Sequence, residues 1–92
     1  MSQHRVVVTG MGAITPLGSS VESFWTGLLE GRSGVRNITL FDPSELPCQI
    51  AGEVPDFRPK DYMEKKLTRR VSRSAQMALA ATVQAVEDAG LP

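Results

Sequence analysis

Apolar residues fall along this chain in three rhythms. The first is a continuous β-branched run, Arg5-Val6-Val7-Val8-Thr9, closed by Gly10. It predicts a strand buried on both faces, as in a sheet covered by helices on each side. In the second, Val21, Phe24, Trp25, Leu28 and Leu29 recur at i, i+3, i+4, i+7 and i+8, the apolar face of a helix. Ser19 or Ser20 opens that helix. Ser19 with Glu22 three residues later fits a capping box, and Gly31 supplies the left-handed position past its end. Burying the five apolar side chains would contribute on the order of 10 kcal/mol gross, so the helix is expected to exist because it packs. The third rhythm predicts one helix from Asp61 to Gly90. Val71, Ala75, Ala78, Thr82, Val86 and Ala89 follow steps of three and four, and Leu79 and Val83 widen the stripe. Small residues there imply close approach by a neighbouring element. Asp61 as N-cap with Glu64 at N3 marks the start, Gly90-Leu91 a Schellman ending, and Pro92 cannot extend the helix.

Between these elements the signals are weaker. Ser33-Gly34-Val35 begins a loop, and Asp42-Pro43-Ser44-Glu45 has the pattern of a one-turn helix with Pro43 at its first position. Gln49 to Val54 is a candidate edge strand, with Ile50, Gly52 and Val54 on one side. Pro55 and Pro59 then impose irregular chain. A strand apolar on both faces needs neighbours on either edge and layers above and below it, and the chain offers only this one further strand candidate. The expected fold class is therefore α/β, and the 92 residues are expected to be the opening portion of a larger domain. That portion would start at a native Met1 and stop just after a helix cap.

Charge changes the picture of the third element. The total is balanced, but Lys60 to Arg73 holds six basic residues against Asp61 and Glu64, with flanks that are each net acidic. A neutral, ordinary composition argues against bulk nucleic-acid or membrane binding. No apolar run approaches the ~20 residues of a membrane span, and Val6–Val8 is too short for a signal-peptide core. The single cysteine, Cys48, cannot form an internal disulfide, which favours a reducing, cytoplasmic setting.

Candidate chemistry is sparse. Gly10-Met11-Gly12 after a strand has part of a dinucleotide-binding turn. Thr15 stands where the third small residue belongs, Pro16 follows, and the helix begins late, so a structural turn is favoured. Cys48 lies in a loop without a base nearby in sequence, and His4 precedes the first strand. A catalytic cysteine–histidine pair would need both in one shaped site, so no catalytic residue is assigned. No cluster has metal-ligand spacing, and no cofactor is expected. The informative set is Lys66, Arg69, Arg70 and Arg73, which share one face if the helix is continuous. Their i,i+4 repulsions, about 0.2–0.5 kcal/mol each, are tolerable. Such a face either docks an acidic partner, is simply solvated, or is paired with acids elsewhere.

The same stretches carry a family resemblance. Arg5-Val-Val-Val-Thr-Gly-Met-Gly-Ala-Ile-Thr-Pro-Leu-Gly18 is similar to the N-terminal strand of the β-ketoacyl-acyl-carrier-protein synthases. Phe24-Trp25 through Leu28-Leu29-Glu-Gly-Arg-Ser-Gly-Val35 resembles their next block. Ile38–Asp42, Ala51–Val54, Arg69-Arg70 followed by Gln76, and Asp88-Ala-Gly90 continue it in order. The resemblance is strongest to type II elongating synthases. It implies a thiolase-like five-layered αβαβα fold, of which this chain is the N-terminal portion, usually in a homodimer. It also implies decarboxylative condensation of an acyl thioester with malonyl-acyl-carrier protein in fatty acid elongation. The cysteine and two histidines that perform this in the family lie at later positions; Cys48 and His4 do not match them. One feature carries over: members of the family bind the acidic acyl carrier protein through a basic patch at positions matching Lys66, Arg69 and Arg70, with Lys65 and Arg73 as outer members.

Three alternatives stand beside this expectation. A noncatalytic chain-length-factor subunit or a polyketide ketosynthase shares the fold, and only a later nucleophile position separates them. A stand-alone module binding an acidic protein would unfold cooperatively as 92 residues. A dinucleotide-binding oxidoreductase ranks last.

Overall fold

A computed structural model describes residues 3–92. Its elements in order are helix α1 (Val21–Leu29), strand β1 (Arg36–Asn37), strand β2 (Ile50–Ala51), a 3-10 turn (Pro59–Asp61), helix α2 (Lys65–Thr68) and helix α3 (Arg73–Ala89). β1 and β2 pair antiparallel, with Arg36 opposite Ala51 and Asn37 opposite Ile50. The edge strand expected within Gln49–Val54 is thus present but two residues long, and its partner comes from a stretch expected to be loop. Glu53 closes this hairpin: its carboxylate accepts hydrogen bonds from the backbone N–H groups of Thr39 and Leu40 and from the Thr39 hydroxyl at 2.9–3.3 Å. At Asp42–Glu45 the expected one-turn helix does not form: a reverse turn is closed by Leu46 N–H on Pro43 O, with Asp42 Oδ1 accepting from Ser44 N–H.

α1 forms where expected, and its start differs by one residue. Ser20 is the N-cap and closes a reciprocal box with Ser23, in place of Ser19 with Glu22. Gly31 takes φ +68, so that its N–H meets Leu28 O and Arg32 N–H meets Gly27 O, a Schellman closure. The apolar face is not covered. Trp25 remains 59% exposed and Leu29 70%, and the buried residue of the helix is Gly27, against Leu17. The burial energy expected of that face is therefore not realised among the described residues.

Two further expectations are corrected. The Val6–Val8 run forms no strand and has no ladder partner among the described residues, with Val6 93% and Val8 82% exposed. The hairpin that does form lies elsewhere and offers it no edge. The helix expected from Asp61 to Gly90 is broken: Asp61 ends the 3-10 turn, Glu64 precedes α2 and Ser72 caps α3 by accepting from Ala75 N–H. At the far end Gly90 has φ +70, and Leu91 N–H bonds Val86 O, the expected Schellman closure.

The core is small. Val54, Phe57 and Ala80 are buried, with Ile14, Tyr62 and Met77 packed against them. α3 turns Met77, Ala80, Ala81 and Gln84 inward, while Ala75, Ala78, Thr82 and Val86 of the expected stripe face solvent. The packed side is centred away from those four residues, although Val71, Val83 and Ala89 of the expected stripe are half-buried and Ala89 meets Gly10. Small apolar residues occur on both sides of α3, so spacing alone does not rank them. The choice is made by Gly10 and Gly12: a Cβ at Gly10 would collide with Ala85 O, and one at Gly12 with Ala81 O. Segment 10–13 lies directly on the helix and is pinned there by side chains. Met11 N–H donates to Asp88 Oδ2 (2.9 Å) and Ala13 N–H to Gln84 Oε1 (3.0 Å).

Candidate functional site

The basic set resolves into two groups with different surroundings. Lys65 and Lys66 stand on α2, Arg69 caps its C-terminal end, and Arg70 follows in the turn that Arg70 N–H closes on Leu67 O. All four are exposed. Among the described residues the one ion pair is Glu30 with Arg32, and none of these four cations is in one. Lys66 and Arg70, with Leu67 and Glu64, line a shallow cavity of about 300 Å3. Arg69 stands beside this concavity and not in its lining.

Arg73 departs from the expected outer membership. Its guanidinium donates to Val54 O (3.0 Å) and lies over the Phe57 ring, 5.6 Å from the centroid. It fastens the start of α3 to the chain that forms the core. Arg73 is exposed but engaged in these contacts, whereas Lys65, Lys66, Arg69 and Arg70 form the adjoining basic surface.

The break between α2 and α3 has a local cause. Thr68 Oγ1 bonds Lys65 O, Gln76 Nε2 bonds Thr68 O, and Ser72 offers a cap to the following turn. Side-chain bonds thus satisfy backbone groups that a continuous helix would have used. The interruption also relieves the stacking of Arg69 on Arg73 that an unbroken helix would impose.

Lys65, Lys66, Arg69 and Arg70 together make an exposed, positively charged surface. Cys48 is exposed, its Sγ directed to Ile50 O at 3.5 Å, and His4 sits in the exposed run before the valines. At the Gly10–Gly12 turn, Met11 N–H is already committed to the Asp88 carboxylate and Ala13 N–H to the Gln84 side chain. A larger trough of about 1040 Å3 lies between segment 10–13, α1 and α3, lined by Val21, Phe24, Trp25 and Ala85 among others. Its walls are the same apolar side chains that α1 leaves uncovered.

Sequence reasoning missed the residues that hold the basic segment in place. Gln84 Nε2 donates to Ser19 O (2.6 Å) and to the Tyr62 hydroxyl (3.1 Å) while its Oε1 accepts from Ala13. Tyr62 stacks on Phe57 with centroids 6.3 Å apart. The available signal was two glutamines eight residues apart on the otherwise small and apolar inner side of α3.

Residues 3–92 match the family described as "Beta-ketoacyl synthase, N-terminal domain". Among its relatives, the chain is 44% identical over 91 residues to 3-oxoacyl-[acyl-carrier-protein] synthase 2 of Synechocystis sp.. It is 48% identical over 91 residues to the protein of that name from Vibrio harveyi. In both cases 99% of this chain aligns with 22% of the relative, so the chain spans about a fifth of their length. Among solved structures, "The ishigamide ketosynthase/chain length factor" superposes with a TM-score of 0.89 at 43% identity, over 99% of this chain and 23% of that one. Such agreement with a ketosynthase fits a thiolase-like fold.

Proposed function

The chain belongs to the β-ketoacyl synthase family, matching its N-terminal domain, and from that premise we propose that it is the opening part of a 3-oxoacyl-[acyl-carrier-protein] synthase. The intact enzyme would condense an acyl thioester with malonyl-acyl-carrier protein, with loss of carbon dioxide, in fatty acid elongation. The observation that carries this is the 44–48% identity to enzymes of that name along 99% of the chain. The same reading assigns residues 1–92 to the N-terminal part of a five-layered αβαβα fold, and the intact protein to a cytoplasmic homodimer. Catalytic groups are assigned to later positions.

Within this segment the proposed role is delivery of substrate. Lys66, Arg69 and Arg70, with Lys65 beside them, would receive the acidic surface of the acyl carrier protein. Their exposure, and the lack of an ion pair to them among the described residues, support this. Complementary charge of this kind sets encounter rate and register, and is weakened by salt. In the intact protein, the double variant Arg69→Glu/Arg70→Glu is expected to raise KM for acyl-carrier protein at least about tenfold at low salt, with a smaller effect at high salt. An unchanged KM in a folded variant would make the patch structural.

A second reading is favoured by the ketosynthase/chain length factor neighbour: a noncatalytic chain-length-factor or polyketide ketosynthase subunit. A cysteine at the later nucleophile position assigns the condensing enzyme, and its replacement assigns the noncatalytic subunit.

A further inference from the structure

We propose that Gln76 and the Tyr62–Gln84 pair are positioning residues that hold the basic helix α2 in the orientation needed for docking. The inference rests on the carrier-protein reading above and concerns how its surface is built. α2 has four residues and none is buried. A helix so short has no stability of its own, so its orientation is inherited from what it is tied to.

Two tethers are present, one on each side of it, and both lead to α3. On the C-terminal side, Gln76 Nε2 donates to Thr68 O at 2.8 Å. On the N-terminal side, Gln84 Nε2 donates to the Tyr62 hydroxyl at 3.1 Å, and Tyr62 lies three residues before Lys65. Both bonds are part-buried, whereas the basic side chains they serve stand in solvent. Ala80, fully buried, lies midway between the two glutamines on α3. Gln84 is itself fixed by Ala13 N–H and Ser19 O, which makes it a rigid post. Tyr62 is steadied further by its stack on Phe57. The basic residues are thus carried on a platform already ordered before a partner arrives, which lowers the ordering cost of association. Removing a tether leaves every charge in place but loosens their register.

The test compares two substrates in the intact protein, one borne by acyl carrier protein and one a small acyl thioester of N-acetylcysteamine. Tyr62→Phe and Gln76→Met each delete one tether while keeping side-chain bulk. Gln84 is left alone because it also holds Ala13 and Ser19. For each variant KM for the carrier-borne substrate is expected to rise about threefold to tenfold, the effect of losing one partly buried hydrogen bond. Its salt dependence should keep the wild-type slope, and kcat and KM for the small thioester should not move. Equal changes with both substrates would mean a merely structural role and overturn the proposal. If Arg69→Glu/Arg70→Glu raises the carrier KM while Tyr62→Phe and Gln76→Met do not, the tethers fail and the docking surface stands. If the charge reversal has no effect either, the docking surface fails first and the tethers fail with it.

Discussion

Glu53 gathers more donors than any other carboxylate described here, and it does so at the surface. The N–H groups of Leu40 and Thr39, then the Thr39 hydroxyl and the more distant charge of Arg73, hold its carboxyl below the ordinary glutamate value of 4.5. A depressed native pKa contributes stability that is fully present above the unfolded value and is lost as pH falls through the native one. The clamp on the β1–β2 hairpin should therefore persist through neutral and mildly acidic pH and open only below about 4.5. In an amide-resolved NMR titration, Thr39 and Leu40 are expected to shift together with a midpoint below that value. Glu53→Gln should abolish the inflection. A shared midpoint at or above the ordinary value would contradict the clamp. Nothing in the sequence pointed to this residue, because its partners are backbone groups 13 and 14 positions away. Gly10 and Gly12 were legible as a structural turn after the β-branched run. What approaches them, α3, was not.

Among elements, helix ends were more legible than helix interiors. Gly31 and Gly90 close their helices as their sequence positions indicate, because the left-handed conformation strongly selects glycine. The break inside Asp61–Gly90 was not legible. Lys66, Arg69, Arg70 and Arg73 keep helical spacing straight through it, and Ser72 is followed at its third position by Ala75, not by an acid or amide. An N-cap without a capping box is a faint signal. The cap is nonetheless expected to matter: Ser72→Ala should lower stability by about 1 kcal/mol, read as a shift in urea midpoint at constant slope in the intact protein. No shift would mean that α3 is held by Gln84 and the core alone. The face of α1 was correctly placed on the helix but wrongly expected to be buried, since amphipathic spacing tells which side is apolar and not whether a neighbour is present.

At the scale of the molecule, the described chain is far from closed. Its radius of gyration is 16.6 Å, against about 12 Å for a compact domain of this length. Its surface of 7390 Å2 compares with about 5200 Å2 for a folded monomer of 10.0 kDa. The excess is apolar: Val6, Val8, Trp25 and Leu29 are all exposed. The 92-residue chain alone is accordingly expected to self-associate and to bind an apolar dye, with sedimentation coefficients that rise with concentration. A monodisperse monomer with a cooperative unfolding transition would support the stand-alone binding module instead.

The short turn between α2 and α3 has one more consequence, for how such a surface changes over generations. In an unbroken helix, inserting or deleting one residue near Arg70 would rotate everything beyond it by 100° and spoil the inner side of α3. Here the turn at Arg69–Ser72 absorbs the change, because Ser72 restarts the helix on its own cap. A one-residue change within the turn would therefore leave α3 in register on Gly10 and Gly12. If the basic face is the docking surface proposed above, its charges and the packing of α3 share one stretch of chain and meet only at this turn and at the Gln76 and Tyr62–Gln84 bonds.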